Sequence, residues 1–249
     1  GTSDLPSIFA NVANKSLRQA YESAPRTFTA WARQTTASDF RTITRAALSD
    51  APALKKVTEN GEFEHGAVTD GKETYQLATY GKIVGFTRQS MINDDLGALT
   101  RIPAAMSMAA ANLESDTVYG VLTTNAALSD SVALFHATHG NLTGTGTDIS
   151  VASLGVARAL MCKQKSPQSA VMNIRPRFLI VPAAKETIAA QFVSQAYVAS
   201  QSSVVNPFAG SLDVVAEARL DDNSATAWYL AADPSVIDTI EYCYLEGQQ

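Results

Sequence analysis

Apolar positions recur at helical spacing most clearly between residues 99 and 124, where Leu99, Ile102, Met106, Ala109, Leu113, Thr117, Gly120 and Val121 follow one another at steps mostly of three and four. The pattern predicts a helix well above the usual length of about 11–12 residues. Asp94 and Asp95 lie upstream, where carboxylates suit the positive end of a helix dipole, and Pro103 falls in the first turns. Ala104, Ala105, Ser107, Ala109, Ala110 and Ala111 keep the helix slim, so that other elements can approach its axis.

Before this helix the pattern is weaker. Residues 1–38 are mixed, with Pro6 and Pro25 bounding a short helix expected near residues 14–21, and the segment reads as an arm. From residue 40 to 86, Thr, Val, Ile and Tyr mingle with charges, and two turn signals, Asn60-Gly61 and Asp70-Gly71, stand ten residues apart. Long hairpins are expected there. Tyr75 and Leu77 alternate with Thr74 and Gln76, the period of two that sets one face of a strand against something apolar. Residues 48–80 contain six acids and three lysines but few large apolar groups, too little to fold unaided, so the excursion must lean on a neighbour.

After the helix the signals alternate. Ser150 caps a helix expected to run to about residue 163, with Leu154, Ala157, Leu160 and Met161 on one side. Residues 177–182 read as a strand buried on both faces, and 184–198 as a helix with Ile188, Phe192 and Ala196 inward. A polar loop at 200–210 leads to three further strand candidates, 212–218, 227–232 and 237–245. The second half is therefore an α+β unit.

Composition narrows the possible functions. Of 249 residues, 46% are hydrophobic and only 17% charged, which hints at surface hidden by partners. The formal net charge of −5 speaks against a nucleic-acid-gripping protein, although a mildly acidic wall suits a container whose polyanionic content must slide. Two cysteines, Cys162 and Cys243, make no disulfide framework, which fits a reducing cytoplasm. No apolar run is long enough for a membrane span and no signal peptide is visible; a start at Gly1 is expected of a trimmed or proteolytically matured chain.

Candidate chemistry is thin. Residues 66–73 nearly spell a phosphate-binding loop, but Glu73 stands where a Mg²⁺-binding hydroxyl belongs, and an Asp-Gly turn explains the segment better. His136 and His139 could approach one metal, yet glycines follow at once, so polar loop residues with backbone hydrogen bonds are expected instead. Gly144-Thr145-Gly146 lacks the third glycine of a dinucleotide fingerprint, and no serine sits in a nucleophile elbow. Asp94-Asp95 and Asp221-Asp222 fit caps or turns better than paired catalytic carboxylates. No catalytic, cofactor or metal residue is assigned.

Several runs carry a resemblance: Asp39-Phe40-Arg41, Gly81-Lys82-Ile83-Val84-Gly85-Phe86-Thr87-Arg88-Gln89, Asn93-Asp94-Asp95-Leu96, Leu134-Phe135-His136-Ala137-Thr138-His139-Gly140-Asn141-Leu142 and Ala227-Trp228-Tyr229-Leu230. With the layout above, the chain resembles the major capsid subunits of Mu-like phages and prophages, a branch of the Hong Kong 97-type capsid fold. The resemblance implies an α+β fold with an N-terminal arm (1–38), an extended β-hairpin loop with flanking peripheral strands (39–86), a peripheral domain with a spine helix at 99–124 (87–149), and an axial domain with strands returning to the peripheral domain (150–249). It implies a structural, non-enzymatic subunit without cofactor, forming hexamers and pentamers of an icosahedral head around double-stranded DNA, assembled in the bacterial cytoplasm. Scaffold, protease and decoration proteins are further partners it implies, with no membrane.

Assembly contacts are expected at the hairpin, at Lys55, Lys56, Asn60, Gly61, Glu64, Asp70, Gly71 and Lys72. Some members of this fold join a loop lysine covalently to an asparagine, but no matching motif accompanies Lys55, Lys56 or Lys72, and no bond is predicted. Two alternatives remain: a nanocompartment shell of the same fold around an enzyme cargo, and a metal-binding enzyme using the His136 and His139 loop.

Overall fold

The computed structural model describes residues 5–47, 71–83, 98–143, 146–166, 169–194, 206–237 and 239–247. The chain divides into two compact units, residues 1–29 with 78–120, and residues 30–77 with 121–249.

Among its described residues the first unit is built on two helices, α1 (Leu5–Ser23) and all but the last turn of α2 (Ala98–Thr124). α1 is longer than the short helix expected at 14–21, because Pro6 lies in its first turn, where the missing N–H costs no hydrogen bond. α2 has the predicted extent, but its orientation differs from what an apolar stripe normally signals. The buried side chains are Ser107, Ala111, Ser115, Val118, Tyr119 and Leu122, whereas Met106, Ala109, Leu113, Thr117 and Val121 of the periodic stripe are exposed. Small residues explain this. Ser107 and Ser115 turn their hydroxyls onto the carbonyls of Pro103 and Ala111, four residues back, and so become compact fillers that let another element come close.

Polar contacts complete the packing of α1 on that narrow face. Ser107 Oγ lies 2.7 Å from the Leu17 carbonyl, Tyr21 donates to Glu114 at 2.6 Å, and Thr27 meets the Tyr119 hydroxyl at 2.7 Å. Arg26 donates to the Tyr21 hydroxyl at 2.8 Å and stacks over the Tyr21 ring. Past α1 the segment read as an arm is ordered by its apolar groups: Phe28, in a 3-10 turn at Thr27–Ala30, and Trp31 are both fully buried.

Among the described residues the second unit contains three small sheets. β1 (Arg33–Ala37) pairs in parallel with β7 (Glu241–Leu245), joining the two ends of the chain with Arg33 opposite Glu241. β2 (Ile43–Ala47) and β3 (Gly71–Tyr75) form an antiparallel ladder from Ile43↔Tyr75 to Ala47↔Gly71. The third sheet has the order β5–β4–β6, with β4 (Pro176–Val181) central, β5 (Asp213–Ala216) parallel to it and β6 (Tyr229–Ala232) antiparallel.

The core of this unit gathers Ile149, Leu154, Leu179, Val181, Ala189, Phe208 and Leu212 around the third sheet. α3 (Val151–Cys162) starts on a capping box in which Ser150 and Ser153 each bond the other's backbone N–H, and it delivers Leu154 inward. α4 (Glu186–Val193) is shorter than the helix expected at 184–198, since Ala183–Lys185 is a 3-10 turn and Ser194 is already extended. The later start turns Ala189, Phe192 and Val193 to the core and leaves Ile188 partly exposed; Ala196 lies outside the described residues.

The strand expected at 212–218 ends at Ala216, because α5 (Arg219–Asn223) follows at once. That short helix places Asp221 where its carboxylate accepts from the Ala183 and Ala184 amides, at 2.7 and 3.1 Å, capping the turn before α4. Likewise the strand expected at 237–245 begins only at Glu241, after a turn in which Asp233 accepts from the Ser235 amide.

Candidate assembly surface

The β2–β3 ladder is the root of the excursion expected to carry the assembly contacts. Gly71 pairs with Ala47 at the ladder's end, and Lys72, opposite Ala46, is exposed. Lys55, Lys56, Asn60, Gly61, Glu64 and Asp70 lie outside the described residues, as does the Asn60-Gly61 turn. Lys72 and Glu73 sit in a strand that no helix directly follows, and Glu73 accepts from the Ser129 amide and hydroxyl at 2.9 and 2.6 Å. Tyr75 and Leu77 are half-buried between exposed neighbours, the alternation expected from their spacing.

Beside the ladder, one carboxylate collects donors from three other strands. Oε1 of Glu241 on β7 accepts from Arg45 Nε on β2 at 2.7 Å, from Thr35 Oγ1 on β1 at 3.2 Å and from the Tyr75 hydroxyl on β3. Burial would raise the Glu241 carboxyl, but the hydrogen bonds from Tyr75 and Arg45 outweigh it and hold the group below the usual carboxylate range. Burial pushes the Tyr75 phenol up, and the neighbouring carboxylate adds to this. Only Tyr75 of this group stood out in the sequence; Arg45 and Glu241 are 196 residues apart, and no local spacing connects them.

The histidine loop resolves as hydrogen-bonded structure. His136 Nδ1 caps a short 3-10 turn at Ala137–His139 by accepting from the Thr138 amide, and Gly140 closes that turn with a left-handed backbone, φ 62°. His139 presents Nδ1 to the Leu134 carbonyl at 3.1 Å and Nε2 to the Asp130 carboxylate at 2.8 Å. Both partners are acceptors, so both bonds form together only when both ring nitrogens carry hydrogen, as in the imidazolium. The Asp130 carboxylate, then the Leu134 carbonyl, raise the His139 pKa, while His139 lowers that of Asp130. A protonated ring offers no lone pair to a metal. Among the described residues no group of three or more His, Cys, Asp or Glu is placed to hold one.

The third feature is the outward stripe of α2. Met106 and Leu113 are each 37% exposed and Val121 is 43% exposed. From Ile102 to Val121, over about 28 Å at the helical rise, this face is mostly apolar, with Asp116 its one exposed acid among Met106, Ala109, Leu113, Thr117 and Val121. Among the described residues no helix is long and apolar enough to cross a membrane.

Strands and helices in this arrangement match those of phage shell subunits. The chain is similar to the bacteriophage JBD30 capsid, at TM-score 0.65 and 14% identity over 80% of this chain and 92% of that one. It is similar also to the JBD30 procapsid, at 0.61 and 16% over 86% and 98%, and to the JBD30 capsid decorated with minor capsid protein trimers, at 0.61 and 17% over 79% and 91%. The fold is thus that of a phage capsid subunit. No curated protein matches the sequence. Residues 71–249 match the phage capsid protein family, and the chain belongs to it: this is a structural protein of a phage head.

Proposed function

We propose that this chain is the major shell subunit of an icosahedral tailed-phage head of the Hong Kong 97 type, from the Mu-like branch, assembling as hexamers and pentamers around double-stranded DNA in the bacterial cytoplasm. In this reading the excursion rooted on β2 and β3 overlaps a neighbouring subunit, with Lys55, Lys56, Asn60, Gly61, Glu64, Asp70, Gly71 and Lys72 among its contacts. α2 is the spine of the peripheral domain, and the unit around β5–β4–β6 is the axial domain. Support comes from family membership and from three JBD30 shell structures of the same fold.

The observation that carries the proposal is the outer stripe of α2, where Met106, Leu113 and Val121 stand exposed. A single copy leaves it in water, whereas a shell built of many copies can cover such a surface repeatedly, and many modest contacts then sum to a stable particle. Electron microscopy of the purified full chain tests this. Closed particles containing nucleic acid are expected; particles filled with a copurified enzyme would instead make it a nanocompartment shell. Leu113→Glu, which places a charge on the stripe, should leave the melting temperature of the unassembled protein nearly unchanged and abolish closed particles. Normal shells from that variant would remove α2 from the assembly surface.

A further inference from the structure

The β2–β3 ladder has little to hold it in place by burial. Thr44, Arg45, Lys72, Glu73 and Thr74 are exposed and the Ile43–Tyr75 pair is only half-buried, and a two-stranded ladder with so little apolar burial is marginal in water. Its orientation on the rest of the unit must therefore come from directed polar contacts. Gln76 donates to the Phe40 carbonyl at 2.8 Å, but both groups belong to the hairpin root itself. Glu73 reaches Ser129, and both are exposed. Among the described residues the contacts that join the ladder to the β1–β7 sheet centre on Glu241, whose side chain is only 15% exposed, against 48% for Arg45, with Thr35 and Tyr75 meeting beside it.

We propose that Glu241 is the positioning residue that fixes the hairpin root on the β1–β7 sheet, in the pose from which the subunit assembles. Assembly as the purpose of that pose rests on the function proposed above. The geometry supports the assignment because three donors, from β1, β2 and β3, converge on one oxygen carried by β7. The Thr35 hydroxyl also lies 3.3 Å from the Tyr75 hydroxyl and can direct its single hydrogen there instead of to Glu241. Arg33 stands opposite Glu241 in the β1–β7 register and is the other charged side chain paired with it along the strands. A neutral amide at 241 would keep much of the shape but lose the charge that makes Arg45 and Tyr75 bind strongly. Both strands of the ladder would then be tied to the sheet by weak bonds alone.

Hydrogen–deuterium exchange on the unassembled full chain, followed by particle counting, tests this. In Glu241→Gln the amides of residues 43–47 and 71–75 should exchange about tenfold faster, the loss expected for one charged hydrogen bond, while β4, β5 and β6 keep wild-type protection and particle yield falls by a similar factor. Arg45→Gln and Tyr75→Phe, both milder changes, should show the same selective acceleration to a smaller degree, and they decide the matter if Glu241→Gln does not fold. Unchanged exchange in the ladder, or equal acceleration in the β5–β4–β6 sheet, overturns the assignment. A wild-type chain that protects the ladder yet forms no particles would sink the shell function and leave the brace standing.

Discussion

Two sheets of the second unit show opposite ways of holding strands together. In β5–β4–β6 the central strand is buried from Phe178 to Val181, and its neighbours add Val215 and Ala232 to the interior. In β2–β3, Thr44, Arg45, Lys72, Glu73 and Thr74 are exposed, Ile43 and Tyr75 are half-buried, and backbone pairing and polar contacts contribute to the order. The first sheet is sufficient to itself, since burial is proportional to apolar area and needs no partner chain. The second has far less apolar burial to hold it. The sharpest break in the comparison is Leu179→Ala. It removes a fully buried side chain from the middle of the core, and unfolding by denaturant should show a loss of about 2–5 kcal/mol. A loss below about 1 kcal/mol, the size of an exposed substitution, would mean that this sheet is not the stabilising centre.

The same contrast explains what could be read from the amino-acid order. The apolar run Phe178-Leu179-Ile180-Val181 has one physical meaning, a strand covered on both faces, and Ser150 three residues before Ser153 has one local use, a cap. α2 was legible in extent but not in direction. Its inner face is made of Ser107, Ala111 and Ser115, which any hydropathy scale ranks below the Met106, Leu113 and Val121 that face outward. A hydroxyl satisfied by its own helix, as at Ser115, or by a packed neighbour, as Ser107 is by Leu17, behaves as a small buried group, and that is visible only once the fold exists. β1 with β7, and the donors around Glu241, depend on pairing across more than 190 residues, where sequence spacing has no signal. Pro6 marked the start of α1, but it reads equally well as a break.

A smaller loss comes from the capping of the α4 approach. Asp221 satisfies two amides that would otherwise point into solvent beside the core helix. Asp221→Ala should therefore destabilise the unit by about 1 kcal/mol, with Asp221→Asn recovering part of it, because an amide oxygen still accepts. Asp222→Ala, next to it in the same short helix, is the control and should change stability by less than about 0.5 kcal/mol. Equal effects of the two would show that α5 matters through its charge near the 183–185 turn and not through the two hydrogen bonds.

The smallest effect is one of pH, and it concerns a loop held as lightly as the ladder. His139 is raised above its ordinary value, first by the Asp130 carboxylate and then by the Leu134 carbonyl. A group whose folded pKa is raised stabilises fully below its unfolded value, about 6.5 for histidine, and that contribution is lost as pH rises through the folded value. Asp130 is lowered, first by His139 and then by the Val132 amide, so its part is present above the ordinary carboxylate value and lost as pH falls through the depressed one. The pair is thus complete in the window between those two folded values. Because Asp130 is half exposed, salt should weaken the pair. An NMR titration should find the His139 ring still protonated above pH 6.5, and the stability advantage of wild type over His139→Gln should be larger at pH 6 than at pH 9. A ring that titrates below 6.5, or an advantage that does not change with pH, would show that His139 bonds through one nitrogen only and leaves the other free.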